Sequence, residues 1–304
     1  MSNRITGAML TGATLNDLNS ALTKLQRSAA ELSSGHSILE ASDNPYGASR
    51  TLDLKSQLDG LGSYASSVSD GISWTNTAGG AMANMNTVLQ RIREVMLQAG
   101  NDTNNAGDLK NLGMVVGQLT ETVKQDANIK YGGQYLFSGT ATSAAPYALG
   151  ENDEYQGNTE TLARAIGPGS TVVVSTDLQS VLGNGQASGD GKLLDVLRTI
   201  QQHLNEGTPE AREKLVGSDL KALDEGMEGL TQLQALSGSA NEQLQVAAAR
   251  IESLEGSIEK ALSNTYDTDF AKSTIEYSNE QAAYQAALHA GANIVQESLL
   301  NFLR

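Results

Sequence analysis

The two ends of this chain carry the same apolar repeat, which narrows the available folds more than any other feature. Near the start, Leu15, Leu18, Leu22, Leu25, Ala29 and Leu32 recur at alternating spacings of three and four residues. Near the end, Tyr277, Gln281, Tyr284, Leu288, Gly291, Val295, Ser298 and Phe302 keep a looser version, with Leu299 beside it. Such an alternation draws one stripe along a helix, and a stripe this long is covered by a partner helix rather than by a compact core. The expected packing residues are therefore Leu15, Leu18, Leu22, Leu25 and Leu32 at one end, and Tyr284, Leu288, Val295, Leu299 and Phe302 at the other. Two uses are open to them, a bundle closed within one chain or a seam between subunits. Residues 1–40 carry only Arg4, Asp17, Lys24, Arg27, Glu31 and Glu40 as charges, too few to solvate an exposed helix well, which favours the seam between subunits.

Composition points the same way. The 304 residues are 39% hydrophobic but only 4% aromatic, so aliphatic seams rather than packed rings supply the core. A net charge of -15 disfavours nucleic acid and anionic membrane, since both require a basic surface. Cysteine is absent, so no disulfide, thiolate nucleophile or cysteine-ligated metal is possible. No apolar run reaches the ~18 residues of a membrane span, and the start lacks the apolar block of a secretory signal. Export, if it occurs, is expected to use another route.

Along the chain, a first helix is expected over about Gly12 to Ser34, broken by Gly35. Asn44 is placed to cap a second helix, with Pro45 in its first turn, where a missing N–H is harmless. That helix would run to Ala99, roughly 80 Å at 1.5 Å per residue, although Gly71, Gly79 and Gly80 weaken the case for an unbroken rod. A third helix carries Leu109, Leu112, Val116, Leu119 and Val123 and stops at Tyr131-Gly132-Gly133. Residues 131–191 then hold eleven glycines and two of the four prolines, with β-favouring runs at Tyr135–Phe137 and Thr171–Val174. They are expected to form a separable, turn-rich β insert. Helix returns from Leu193, restarts at Thr208-Pro209, and the last helix begins near Asp267-Thr268-Asp269-Phe270.

The expected fold is mainly α with a β-rich insert: a long antiparallel helical bundle or coiled coil built from both chain ends, plus a small outer β domain. Its expected divisions are 1–43 with 264–304 for assembly, 44–130 with 192–263 as a helical rod, and 131–191 as the outward insert. No catalytic, cofactor or metal site is expected. Asp267, Asp269 and Glu276 lack the glycine turn and distal Glu of a calcium loop and fit helix capping. His36, His203 and His289 stand apart with no nucleophile motif nearby, and Trp74 fits a packing role.

Several segments resemble the flagellin superfamily. Leu32-Ser33-Ser34-Gly35 followed by Ala41-Ser42-Asp43-Asn44-Pro45 is similar to the family's linker between its first two helices. Leu89–Ala99 and the endings Gln281–Leu288 and Ser298–Leu303 are similar to other helical segments of the family. Pro45, the run Gly133-Gln134-Tyr135-Leu136-Phe137-Ser138-Gly139-Thr140 with Pro146, Glu154-Tyr155-Gln156-Gly157 and Ile166-Gly167-Pro168-Gly169 resemble the branch at the hook–filament junction. That resemblance implies a non-enzymatic structural subunit of the extracellular flagellum, secreted by type III export without a cleaved signal. It implies as partners flagellin, flagellar hook-associated protein 1, further copies of itself and an export chaperone. A short filament flagellin is the alternative within the family, and a secreted effector or enzyme on a coiled-coil scaffold is the alternative outside it.

Overall fold

In a computed structural model, residues 2–101, 104–150, 153–185 and 187–302 are described, and their side chains likewise except at 2–8, 10, 11 and 294–302. Helix α1 spans Ser2–Ser34 and α2 spans Pro45–Ala99. Asn44 caps α2 as its sequence position predicts, its side-chain oxygen accepting from the Gly47 amide at 2.9 Å, with Pro45 as the first helical residue. The three interior glycines do not break α2. Gly71 instead admits a partner, since a Cβ there would stand 3.1 Å from Leu244 Cδ1. Tertiary packing of a helix this long outweighs ~1 kcal/mol of propensity lost per glycine.

Helix α3, Ala106–Ala127, opens on a reciprocal capping box between Asn105 and Asp108. The insert follows with two short antiparallel ribbons. Strand β1 (Lys130–Tyr131) pairs with β2 (Gln134–Tyr135), and β3 (Ala163–Gly167) pairs with β4 (Ser170–Val173). Leu136 and Phe137 lie outside β2 but are fully buried. Among the described residues, turns and an isolated antiparallel bridge between Tyr147 and Tyr155 hold the segment between the ribbons. Gly139, at φ +65°, leaves no room for a side chain beside the Asn158 carbonyl, and a Cβ on Gly157 would stand 2.8 Å from Ser138 Cα. The Tyr155 hydroxyl donates to the carbonyls of Phe137 and Asn158, and burial pushes its phenol up to about 12.

Short helix α4 (Gln179–Leu182) leads to α5 (Leu193–Glu206), whose Leu193, Leu197, Ile200 and Leu204 line one buried face. Gly207 ends α5 in the left-handed conformation, and Thr208 caps α6 (Pro209–Lys214), as Thr208-Pro209 predicts. A π-helical turn, Leu215–Asp219, joins α6 to α7 (Leu220–Tyr266), and α8 runs over Phe270–Phe302.

The chain divides into two compact units, residues 1–60 with 254–304 and residues 61–253. The second holds one continuous apolar core drawn from α2, α3, α5 and α7. Among the described residues of 131–191, Leu136, Phe137, Tyr147, Val172, Leu178 and Leu182 belong to that same cluster rather than to a core apart from it. A buried charged cluster fastens the insert to the helices. Asp153 accepts from Lys124 Nζ at 2.8 Å and from Arg198 Nε at 2.7 Å, and Arg198 also donates to Glu121 at 2.7 Å. Burial disfavours both carboxylates, but the donors outweigh it. Arg198 and Lys124 hold Asp153 below the usual carboxylate range, and the Gly150 amide with Arg198 and Lys124 does the same for Glu121.

Candidate assembly surface

The first unit is built on two antiparallel helices and the turns that join them to the rest of the chain. Gly35, at φ +74°, ends α1 in a conformation that side chains resist. The next residues pair with the turn before α8. Ser37 N donates to the Tyr266 carbonyl at 2.8 Å and Thr268 N donates to the Gly35 carbonyl at 3.0 Å. His36 stacks on Tyr266 with ring centroids 3.9 Å apart, and Lys55 Nζ sits 4.3 Å from the same ring centroid. Asp43 accepts from the Leu39 and Glu40 amides and pairs with Arg27 at 3.1 Å. Asp269 caps α8 through the Ala271 and Lys272 amides, so this acid serves as a helix cap. Asp43 and Asn44 of the segment resembling the flagellin linker thus bond backbone amides, and Ser34 and Ser42 bond the Glu31 carbonyl and the Glu40 carboxylate.

From there α1 and α8 run side by side. Ser28 donates to the Glu280 carboxylate, and a Cβ on Gly291 would stand 3.4 Å from Thr14 Cγ2. The antiparallel pair brings the two expected stripes to the same place but does not bury them. Leu18, Leu22, Leu25 and Leu32 on α1 and Tyr284 on α8 are half-buried. Leu15 keeps 56% of its surface exposed and Leu288 keeps 43%. Val295, Leu299 and Phe302 lie on α8, and their side chains fall outside the described residues.

Burial among the described residues of this unit is sparse. Its buried large apolar side chains are Ile38 and Leu54, and the helix pair itself buries Ser28 and Ser273. Exposed apolar residues are many: Met9, Tyr46, Leu52, Phe270 and Ile275 each keep 60% or more of their surface. Met9 lies on α1, Phe270 and Ile275 on α8, and Tyr46 and Leu52 on the first turns of α2. Tyr46, Leu52, Phe270 and Ile275 are exposed apolar residues outside the sequence-derived set. Tyr46, Leu52 and Ile275 lie off the three–four alternation, so a search for one stripe passes over them, whereas Phe270 continues the C-terminal stripe one heptad before Tyr277.

The remaining clusters serve structure. Lys124, Glu121, Asp153 and Arg198 pair among themselves, and His203 Nδ1 lies 2.6 Å from Asp219 Oδ2 beside the π-helical turn. Trp74 is buried, edge-on to Tyr131 with centroids 6.1 Å apart.

Comparison with known proteins places these features in a family. Residues 5–142 match the bacterial flagellin N-terminal helical region, and residues 220–303 match the bacterial flagellin C-terminal helical region. The chain is similar to flagellin of Bacillus subtilis (strain 168), 26% identical over 303 residues and covering 96% of each protein. It shares its fold with flagellar hook associated protein-3 of Legionella pneumophila, at 15% identity and a TM-score of 0.60, over 69% of this chain and 97% of that one. It also shares its fold with the flagellar junction protein FlgL of Legionella pneumophila, at 14% identity and a TM-score of 0.57, over 73% of this chain and 100% of that one. With both terminal helical regions matched, the chain belongs to the bacterial flagellin family, a structural component of the flagellum rather than an enzyme.

Proposed function

We propose that this chain forms the junction layer between flagellar hook-associated protein 1 and the flagellin filament, assembling there after type III export with the help of a chaperone. The observation that carries the proposal is the fold likeness over the whole length of a solved flagellar junction protein. The segments Gly133–Thr140 and Glu154–Gly157, which resemble the junction branch, lend it support through the turns they build. In this proposal residues 1–43 and 264–304 are the assembly region. Leu15, Leu18, Leu22, Leu25, Leu32, Tyr284, Leu288, Val295, Leu299 and Phe302 are its packing residues, meeting other copies and neighbouring flagellar subunits. The sparse core of the first unit supports that role, because burying its exposed apolar flanks stabilises the assembly at about 25 cal/mol per Å².

A filament flagellin is the second reading, favoured by the 26% identity along 96% of the Bacillus subtilis flagellin. Gold-labelled antibody on intact flagella separates the two. A junction subunit gives one narrow band at the hook end and a trace band in purified flagella. Label along the whole filament would establish the filament role instead.

A further inference from the structure

The seam between α2 and α7 in the second unit carries a regular heptad repeat of buried residues. Along α2, Val68, Thr75, Met82, Leu89 and Met96 are all buried, each one heptad from the next. Along α7, Leu223, Leu230, Ser237, Leu244 and Ile251 are buried at the same step. The contacts of Gly71 with Leu244, Thr75 with Asn241 and Arg93 with Asp224 set the helices antiparallel. Sliding one helix by a heptad, about 10.5 Å at 1.5 Å per residue, lays each buried row back onto itself. Apolar packing alone discriminates weakly between such registers, the more so where methionine and small residues line the seam.

The close approach of Leu244 to Gly71 and the Arg93–Asp224 pair interrupt the repetition, and so does one buried polar layer. Asn241 is buried, and the positions one heptad either side of it on α7 are Gln234 and Ala248, both only half-buried. Its side-chain amide donates to Thr75 Oγ1 at 2.7 Å, to Asn76 Oδ1 at 3.1 Å and to the Ile72 carbonyl at 3.3 Å. Its oxygen accepts from Gln245 Nε2 at 2.5 Å. After a heptad slide the amide would face Val68 or Met82, both buried and apolar. Its hydrogen-bond capacity would then be buried against side chains that cannot meet it.

We infer that the buried polar Asn241–Thr75 layer decides the register of α7 on α2, and that a register one heptad away becomes accessible when the layer is removed. Spin labels test it in the full-length chain, which has no native cysteine. Gln90→Cys and Glu252→Cys place labels at two exposed positions, with about 39 Å of axial rise between them in the observed register. The chain with Asn241 gives one distance. Asn241→Leu gives a second population displaced by about 10 Å, with the helical circular dichroism retained and a higher thermal midpoint. Thr75→Leu combined with Met82→Thr moves the hydroxyl partner by one heptad and shifts the population to the distance about 10 Å shorter. A single unchanged distance in both variants overturns the inference. Loss of the helical signal in Asn241→Leu also overturns it, because the layer would then support the fold rather than choose a register.

Discussion

Asp153→Asn is the substitution that most directly tests how the insert is held. The side chain is 3% exposed and takes hydrogen bonds from Lys124, itself fully buried, and from two nitrogens of Arg198. The amide keeps the shape but removes the charge, so a cluster of two cations and two carboxylates is left with an excess positive charge. Breaking a buried pair from one side costs about 3–5 kcal/mol. A typical domain is stable by about 5–15 kcal/mol in total, so the loss is a large part of what holds the second unit folded. Removing the opposing cation as well, in Asp153→Asn with Lys124→Met, restores neutrality around Arg198 and Glu121. The double variant should recover at least about 1 kcal/mol relative to Asp153→Asn alone, a coupling that a double-mutant cycle isolates. Trp74 is the only tryptophan and is buried in this unit, so urea denaturation followed by its fluorescence reads the loss directly. An Asp153→Asn midpoint equivalent to less than about 0.5 kcal/mol from the parent would refute the stapling role, since that is the range of ordinary surface substitutions.

Three further outcomes follow from the same packing. Asp153 and Glu121 both titrate below their ordinary range, so their stabilisation is complete above the unfolded value, about 4, and is lost as pH falls through the lower folded values. Acid titration of Trp74 fluorescence should show this, and Asp153→Asn should flatten the curve. Leu288→Asp alters a side chain that is 43% exposed, so the free subunit should keep its thermal midpoint while sedimentable assembly is lost; a subunit that unfolds instead would mark the seam as internal. Replacing residues 131–191 with a flexible linker removes Leu136, Phe137, Tyr147 and Leu178 from the shared core, each worth about 1.5–3 kcal/mol when fully buried. The remaining helices should melt at a clearly lower temperature, and an unchanged melt would show that the insert is dispensable.

Local chemistry made much of this fold legible in the sequence. The apolar alternation marked the terminal helices, Asn44 with Pro45 and Asp269 marked helix starts, and Gly35 marked a stop, because each acts through backbone groups a few residues away. The pairing of the two chain ends was legible too, since neither stripe can be covered by its own helix. The tertiary structure decided what depends on residues distant in sequence. Lys124, Asp153 and Arg198 come from two helices and a loop, and no periodicity records which charges will meet. Asn241 looks like any polar residue on a helix until Thr75 lies against it. The terminal leucines differ for the same reason: one stripe in sequence becomes half-buried positions such as Leu22 and open ones such as Leu15 only when a second helix lies along it. Periodicity fixes which residues share a face, whereas burial depends on what the rest of the chain places against that face.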